Sequence, residues 1–209
     1  MSDYEMSVEP LFITPLAKVD LSSCITPSEV AFTDSLKMVP NQQNLISEDL
    51  YILRRPELAQ FAAAISAALQ DYAREVMGID CHLEVTQSWA QQNQQGAGLH
   101  PHAHSNSIIS GSFYYSELPD PPSRVFFDRS TAYQRLDLPP EQGRANLFNT
   151  KVNAVTPKRG ELLLFPSELN HMVEANPAAQ TRSVIAINSF IRGTICLLYT
   201  SDAADEVDR

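Results

Sequence analysis

The sequence lacks the features of membrane-spanning and disulfide-stabilised secreted proteins. It contains no stretch of about 18 apolar residues, and its start, MSDYEMSVEP, has neither the basic segment nor the apolar run of a secretory signal. Its 3 cysteines are isolated and odd in number, so they build neither a disulfide framework nor a CxxC metal knuckle. We therefore expect a cytoplasmic protein that does not enter a membrane.

Basic residues are also scarce. The chain carries 15 Lys and Arg residues against 25 Asp and Glu residues, a formal net charge of -10. Because binding to bulk nucleic acid needs clustered cations that neutralise phosphates, such a partner is not expected. We expect instead a small-molecule or peptide substrate of unknown identity, bound by a chain that works alone or as a homodimer.

The length of 209 residues suits one catalytic domain with a supporting annex. We predict an irregular and helical support region at 1–80 and an all-β core at 81–195. The final segment, 196–209 (CLLYTSDAADEVDR), follows an apolar strand pattern abruptly and resembles the conceptual translation of a sequencing-library adapter. It is therefore predicted to be non-native and to contribute nothing to the fold.

The support region contains one predicted helix. Apolar residues from 56 to 77 recur at steps of three and four, with Pro56 suited to the first turn and Gly78 to the stop. The predicted apolar stripe, which should pack on a sheet, consists of Leu58, Phe61, Ala62, Ile65, Leu69, Tyr72, Ala73 and Val76. Residues 1–55 alternate short apolar stretches with prolines, which indicates irregular structure and edge strands.

Beyond Cys81 the period of the apolar residues falls to two. The alternating segments lie at 82–90, 107–117, 123–128, 152–156, 161–166, 171–175 and 182–191. This spacing predicts an all-β module of seven or eight short strands. The Gln-rich segment AQQNQQGAG at 90–98 is polar and contains glycine, so it is predicted to be a mobile loop suited to a lid.

Three of the 5 histidines, His100, His102 and His104, fall within the segment LHPHAHSNS. Side chains two positions apart in an extended segment point to the same side, so any adjacent pair of the three could bind one ion. The following strand has a polar face of the same parity that could line a cavity, with Ser110, Ser112 and Tyr114 on it.

A second signal lies in the downstream segment KRGELLLFPSELNHMVEANPAAQTRSVIAINSF. An apolar strand is followed by a short loop, His171 opens the next strand, and Arg182 opens the one after. Imidazole suits iron, and three protein ligands leave positions open for a bidentate co-substrate and oxygen. The pattern predicts a non-haem iron(II) site at His102, His104 and His171.

Arg182 adds an independent argument for the co-substrate. A molecule of 2-oxoglutarate that chelates iron through its keto acid end projects its other carboxylate away from the metal, and a planar guanidinium can hold that carboxylate with two hydrogen bonds. Arg182 is the candidate for this contact, and Asn188, which shares its parity, is a candidate for the same pocket. The alternative is a surface ion pair between Arg182 and Glu174 or another acid.

Taken together, the motifs resemble a known family, the 2-oxoglutarate- and iron-dependent oxygenases of marine bacteria and their phages, a branch of the prolyl-hydroxylase-like superfamily. The resemblance covers roughly 80–195 and is carried by Trp89, HAHSNSIISGSFYY at 102–115, GELLLFPSELNHMV at 160–173 and RSVIAIN at 182–188. It implies a double-stranded β-helix of the jelly-roll or cupin type that uses iron(II), 2-oxoglutarate and oxygen. It also implies that His171 is the distal ligand and Arg182 the co-substrate anchor.

One position departs from the superfamily pattern, in which a carboxylate stands two residues after the first histidine. Position 104 is a histidine instead. Three imidazoles leave the iron with its full +2 charge, so the metal should be held less tightly. Two alternatives stay open at this point: His100 and His102 form the ligating pair, or Asp128 supplies the carboxylate.

The sequence therefore predicts an iron(II)- and 2-oxoglutarate-dependent dioxygenase that hydroxylates an unidentified substrate. Its fold should be mainly β, with a supporting N-terminal helix, and Tyr114 and Ser110 should line the co-substrate pocket. Three functions compete with this one: a cupin-like three-histidine dioxygenase that needs no oxoglutarate, a non-catalytic metal-binding or structural barrel, and a zinc hydrolase with a general-base carboxylate.

Overall fold

Two antiparallel β-sheets dominate the computed structural model, which describes residues 6–78, 81–129 and 140–193. The strands are β1 (Ala17–Asp20), β2 (Met38–Asn41), β3 (Asn44–Ser47), β4 (Leu83–Asn93), β5 (Leu99–His102), β6 (Ile109–Phe113), β7 (Val125–Asp128), β8 (Val152–Val155), β9 (Glu161–Pro166), β10 (Asn170–Val173) and β11 (Arg182–Ile191). The larger sheet has the order β1-β9-β6-β11-β4-β3-β2, and the smaller sheet has the order β5-β10-β7-β8.

The chain passes back and forth between the two sheets from β4 onward. Strands β4, β6, β9 and β11 lie in the larger sheet, and β5, β7, β8 and β10 lie in the smaller one. This winding is the predicted double-stranded β-helix. Strands β1, β2 and β3 extend the larger sheet, and β1 and β2 are its outermost members, as predicted for edge strands.

The first four residues of the Gln-rich segment, 90–93, belong to strand β4, so the prediction of a loop over the whole of 90–98 is wrong for these four. Strand β4 continues to Asn93 because it pairs along its length with β11, ending at the register pair Arg182 and Asn93. Residues 94–98 form the connection to β5, and Gly96 there donates a backbone hydrogen bond to the Asn176 carbonyl at 2.8 Å. The polar composition of this strand made it look like a loop. Its polar side chains face a polar barrel interior rather than solvent.

The predicted helix is present and ends in a wider turn. It begins with a 3₁₀ turn at Pro56–Leu58, continues as α2 (Ala59–Asp71) and closes with a π-helical turn at Tyr72–Val76. The predicted stripe is buried except at Ala62, which is partly buried, and Val76, which is half exposed. A π-helical turn holds more residues than an α-helical one, so Val76 is rotated off the stripe.

A second helix, α1 (Pro27–Asp34), occupies a region predicted to be irregular. Its start is a variant of the capping box in which the second bond joins the two side chains: the Glu29 amide donates to the Thr26 hydroxyl at 3.3 Å, and the Thr26 hydroxyl donates to the Glu29 carboxylate at 2.9 Å. The buried Glu29 carboxylate also accepts a hydrogen bond from the Phe61 amide at 2.8 Å, near the start of α2. Glu29 thereby joins the two helices.

Each face of the larger sheet carries its own apolar core. Helix α2 covers the outer face, where Phe61 packs edge-on against Phe113 with ring centroids 5.1 Å apart. The smaller sheet covers the inner face, where Phe127 packs against Phe165, also at 5.1 Å. The two sheets thus enclose a barrel whose interior is separate from the helix-packed core.

Gly111 on β6 lies where the backbones and side chains of the larger sheet crowd together. A Cβ atom at this position would lie 2.6 Å from the Leu163 carbonyl oxygen and 2.8 Å from Leu164 Cδ2. Glycine is therefore required by space and not by backbone conformation.

No helix within residues 6–78, 81–129 and 140–193 is both long and apolar enough to cross a membrane. Cys24 and Cys81 are free thiols. The predicted adapter-derived tail at 196–209 lies outside the described residues, and so does Cys196.

Candidate metal centre and co-substrate pocket

Three histidines converge at one end of the barrel. His102 on β5 and His171 on β10 are register partners of neighbouring strands, so their side chains lie side by side. His104 follows β5, and its amide donates to the Ser167 carbonyl at 2.9 Å, which draws it towards the same point. One ring nitrogen from each of the three lies within 4.8 Å of the others. We call this the histidine end of the barrel.

Backbone carbonyls orient two of the rings. His102 Nδ1 lies 2.9 Å from the His100 carbonyl oxygen, and His171 Nδ1 lies 2.9 Å from the Leu169 carbonyl oxygen. A proton on each Nδ1 makes these contacts hydrogen bonds and leaves the Nε2 lone pair free. Such a contact is the usual means by which a protein sets the tautomer and direction of a metal-binding histidine.

Burial keeps the imidazoles uncharged. It lowers the pKa of His171 to about 3 and the pKa of His104 to about 4, and it also lowers the pKa of His102. His102 further lowers the pKa of His104 and of His171, and His104 lowers that of His171, because adjacent positive charges repel. Neutral imidazole is the form that binds a metal, so the cluster is ready to bind an ion at neutral pH without losing protons.

Aromatic side chains surround the cluster. The Phe165 ring lies 4.7 Å from the His171 ring, and the Phe127 ring lies 6.1 Å from it. On the other side, the Trp89 ring lies 6.3 Å from that of His104. This apolar wall limits access of water and restricts rotation of the imidazoles.

The other predicted ligands lie outside the cluster. Within residues 6–78, 81–129 and 140–193, His102, His104 and His171 form the one group of three or more His, Cys, Asp or Glu side chains close enough to share an ion. The His100 ring is 5.3 Å from the His102 ring but does not join this group, and neither does Asp128. His82, which was not predicted to be a ligand, lies just before β4, is exposed and is also separate. The geometry thus favours His102 with His104 over the two alternatives.

Arg182 lies at the opposite end of the same cavity, which we call the arginine end. Its side chain is fully buried, with Nη2 donating to the Tyr114 hydroxyl at 3.0 Å and Nη1 to Asn93 Oδ1 at 3.4 Å. Its Nε is buried without a hydrogen-bond partner in the described part of the chain. A buried cation with an unused donor has capacity left for an anion.

The predicted alternative for Arg182, an ion pair with Glu174, is wrong. Glu174 pairs instead with Arg124, with Nη2 and Oε1 2.7 Å apart. Among the described residues no carboxylate forms a salt bridge with Arg182. The isolation of its charge follows from the register of β11, which places position 182 inside the barrel beside Asn93.

Tyr114 completes the arginine end. Its side chain is fully buried, and burial raises the pKa of its hydroxyl, while the positive charge of Arg182 partly opposes that rise. The hydroxyl is therefore protonated at neutral pH. Because it accepts the hydrogen bond from Arg182, its own proton is free to be donated to a further acceptor.

The cavity between the two ends includes some of the predicted pocket residues but not all. Tyr114, Ser112 and Arg182 line it, together with Trp89 and Gln91. Ser110 and Asn188 lie just outside its lining.

Ser110 and Asn188 belong to a buried hydrogen-bond network at the histidine end. The Ser110 hydroxyl donates to Asn188 Oδ1 at 2.8 Å and lies 2.8 Å from the Ser167 hydroxyl. The Ser167 hydroxyl in turn donates to Ser107 at 2.8 Å. Because the Ser167 carbonyl holds the His104 amide, the network joins the loop of His104 to the loop before His171.

Sequence reasoning missed Asn93 and Ser167. Asn93 is fully buried and contacts Arg182, yet it lies in the segment interpreted as a loop. The signal was present in QSWAQQN, where Gln87, Trp89, Gln91 and Asn93 alternate on one face of β4. Ser167 carries no comparable signal, because its role depends on a carbonyl group that every residue has.

Comparison with known proteins assigns the core to a family. Residues 87–188 match the family described as "Putative 2OG-Fe(II) oxygenase". No curated protein sequence matches the chain. A marine or phage source stays a prediction.

Solved structures share the fold. A 2OG-Fe(II) oxygenase family oxidoreductase from Burkholderia pseudomallei is 12% identical with a TM-score of 0.58, covering 83% of each chain. HygX from Streptomyces hygroscopicus, solved with nickel, 2-oxoglutarate and hygromycin B, is 13% identical with a TM-score of 0.57, covering 84% of this chain and 82% of its own. A Pseudomonas putida prolyl-4-hydroxylase is 15% identical with a TM-score of 0.55, covering 86% and 94%. The match at 87–188 assigns this part of the chain, the barrel that carries the site, to the family of 2OG-Fe(II) oxygenases.

Proposed function

We propose that His102, His104 and His171 hold iron(II), that Arg182 and Tyr114 hold 2-oxoglutarate, and that the enzyme hydroxylates an organic substrate. One observation carries this assignment: three neutral imidazoles lie at one end of a cavity, and at its other end lies a buried guanidinium that has no acidic partner among the described residues. The donor set suits the metal, since imidazole is a common ligand of iron. The unused Arg182 Nε suits a carboxylate.

When bound, iron(II) and 2-oxoglutarate together activate oxygen, and 2-oxoglutarate is converted to succinate and carbon dioxide. The protein's own part is binding and orientation. Arg182 would donate hydrogen bonds to the distal carboxylate, and the Tyr114 hydroxyl would donate a hydrogen bond to the same group. The apolar wall of Phe165, Phe127 and Trp89 excludes water from the reacting centre.

The unused guanidinium also favours this function over the three-histidine dioxygenase that needs no oxoglutarate. In that enzyme a buried charge such as Arg182 would have no anion to bind, and an unpaired buried charge costs several kcal/mol.

Free thiols at Cys24 and Cys81 support a reducing compartment, and we propose the cytoplasm.

Anaerobic titration of the purified protein with iron(II) and 2-oxoglutarate tests the proposal. We expect a weak visible charge-transfer band in the parent and in His82→Ala, and none in His171→Ala. On admission of air, succinate should form in the proteins that show the band. Absence of the band in the parent, with iron binding unchanged in His171→Ala, would overturn the site assignment.

A further inference from the structure

A groove with mainly apolar walls opens at the histidine end of the barrel. One wall is the N-terminal segment 9–16, the other is the segment 147–155, and Phe127 and Leu169 form the floor. The groove encloses about 610 Å³, which is in the range of sites that bind a single small molecule.

The floor of the groove is formed by residues that hold a proposed metal ligand. The Phe127 ring packs on His171 at 6.1 Å, and the Leu169 carbonyl accepts the hydrogen bond from His171 Nδ1. Strand register places Asp128 opposite Asn170, and the Arg129 amide donates to the Lys151 carbonyl at 2.8 Å. The groove therefore adjoins the histidines and lies away from the arginine end, which the co-substrate is proposed to occupy.

The walls expose an unusual amount of apolar surface. Leu11 is 81% exposed, Phe12 92%, Leu147 82% and Phe148 53%. Apolar side chains clustered in this way mark a surface that another molecule covers. Their apolar surface favours a hydrocarbon body over a flat polar one, which would leave its hydrogen-bonding groups unmatched.

A cation stands at the rim of the groove. The side chain of Arg129 lines it and forms no hydrogen bond or salt bridge with a described residue. Glu9 is the one acidic residue among the described lining residues. A locally positive rim on a chain with a net charge of -10 favours an anionic ligand.

We propose that this groove binds the substrate, and that the substrate is a small organic acid with a hydrocarbon body. The body would lie against Leu11, Leu147 and Phe148, and the carboxylate would pair with Arg129. The substrate assignment rests on the proposed oxygenase function, whereas binding in the groove does not.

Binding is measured on the metal-free protein with octanoate, 1-octanol and octylamine as probes, by calorimetry. Octanoate should bind most tightly. Arg129→Ala should weaken octanoate at least tenfold and leave octanol within twofold, while Phe148→Ala should weaken both. The controls Arg192→Ala and Leu50→Ala remove an exposed cation and an exposed apolar side chain that do not line the groove.

Octanoate binding no tighter than that of octylamine, or unchanged in both groove variants, would overturn the proposal. So would binding of an uncharged proline-rich peptide in place of octanoate. In the protein loaded with iron(II) and 2-oxoglutarate, octanoate should increase succinate formation in the parent but not in Phe148→Ala. Binding without that increase contradicts the substrate assignment, whereas a loaded protein that forms no succinate at all contradicts the proposed function and leaves the binding result standing.

Discussion

The Arg182 guanidinium and the Tyr114 hydroxyl are joined by a hydrogen bond of 3.0 Å between two fully buried side chains. The bond fixes the direction of the guanidinium and leaves Nε unused. A cation held in this way loses little conformational freedom when an anion arrives, because the cost of ordering it was met during folding.

Replacing Arg182 with lysine should weaken 2-oxoglutarate binding by about 30-fold or more. Lysine keeps the charge but loses the planar pair of donors, and losing one partner of a buried charged pair costs about 2 kcal/mol at least. Calorimetric titration of the metal-loaded protein measures the effect. Arg124→Lys, an exposed substitution, is the matched control, and equal affinities for the two variants would contradict the anchor role.

Replacing His104 with alanine should weaken metal binding by at least about 100-fold, because it removes one of three ligands. His100→Ala, made two residues earlier in the same segment, should bind as the parent does. Equilibrium dialysis with cobalt(II) compares the two. If His100→Ala is the weaker binder, then His100 and not His104 is the ligand.

The His104→Asp substitution should move two affinities in opposite directions. A carboxylate beside the ion attracts it, so the metal should bind more tightly. The same negative charge lowers the attraction between the site and the oxoglutarate dianion, which should then bind more weakly. Dialysis gives the first affinity and calorimetry the second, and a change of both in the same direction would contradict this account of the three-histidine site.

The metal-free protein should lose stability as the pH falls from about 6.5 towards 4. In the unfolded chain the histidines take up protons near pH 6.5, whereas burial lowers the pKa of His104 to about 4 and of His171 to about 3 in the folded state. Protons therefore bind preferentially to the unfolded chain in this window, so the free energy of unfolding decreases as the pH is lowered. Urea unfolding at pH 7, 6 and 5 measures how the free energy of unfolding depends on pH. This dependence should be smaller in the double variant His104→Gln and His171→Gln than in His82→Gln.

Removing the Ser167 hydroxyl should lower the free energy of unfolding by about 1 kcal/mol and weaken cobalt(II) binding several-fold. The hydroxyl contacts Ser110 and Ser107, so its loss loosens the loops that carry His104 and His171. Ser123→Ala is a matched control, because Ser123 is buried and its hydroxyl has no hydrogen-bond partner among the described residues. A loss of stability without a loss of metal affinity would show that the network supports the fold alone.

The fold was predictable from sequence where side-chain alternation followed burial. Strands β6, β9 and β11 alternate between the helix-packed core and the barrel interior; β9 and β11 have their predicted bounds, and β6 lies within its predicted segment, 107–117. Strand β5 was not predicted as a strand, because it is short and is held by pairing with β10 rather than by apolar alternation. Helix α1 is eight residues long, and its signal lay in a capping box rather than in an apolar stripe.

The site was predictable in part for a related reason. Histidines with fixed spacing are rare enough to be noticed, and strand order then determines that positions 102 and 171 meet. The groove between segments 9–16 and 147–155 could not be predicted, because these two segments are distant in sequence and come together only when the chain folds. The cavity-facing residues of β4 were hidden because polar side chains in a strand look like those of a loop.

The crowding at Gly111 sets a boundary on engineering. This glycine borders the cavity between the two ends of the barrel, where no side chain can be added without displacing β9. Libraries that aim to change selectivity should hold this position constant and vary neighbours such as Ser112, Gln91 and Ala186. If position 111 is randomised instead, every variant that folds should carry glycine there, whatever activity is selected. The position therefore serves as an internal standard for whether the barrel has formed.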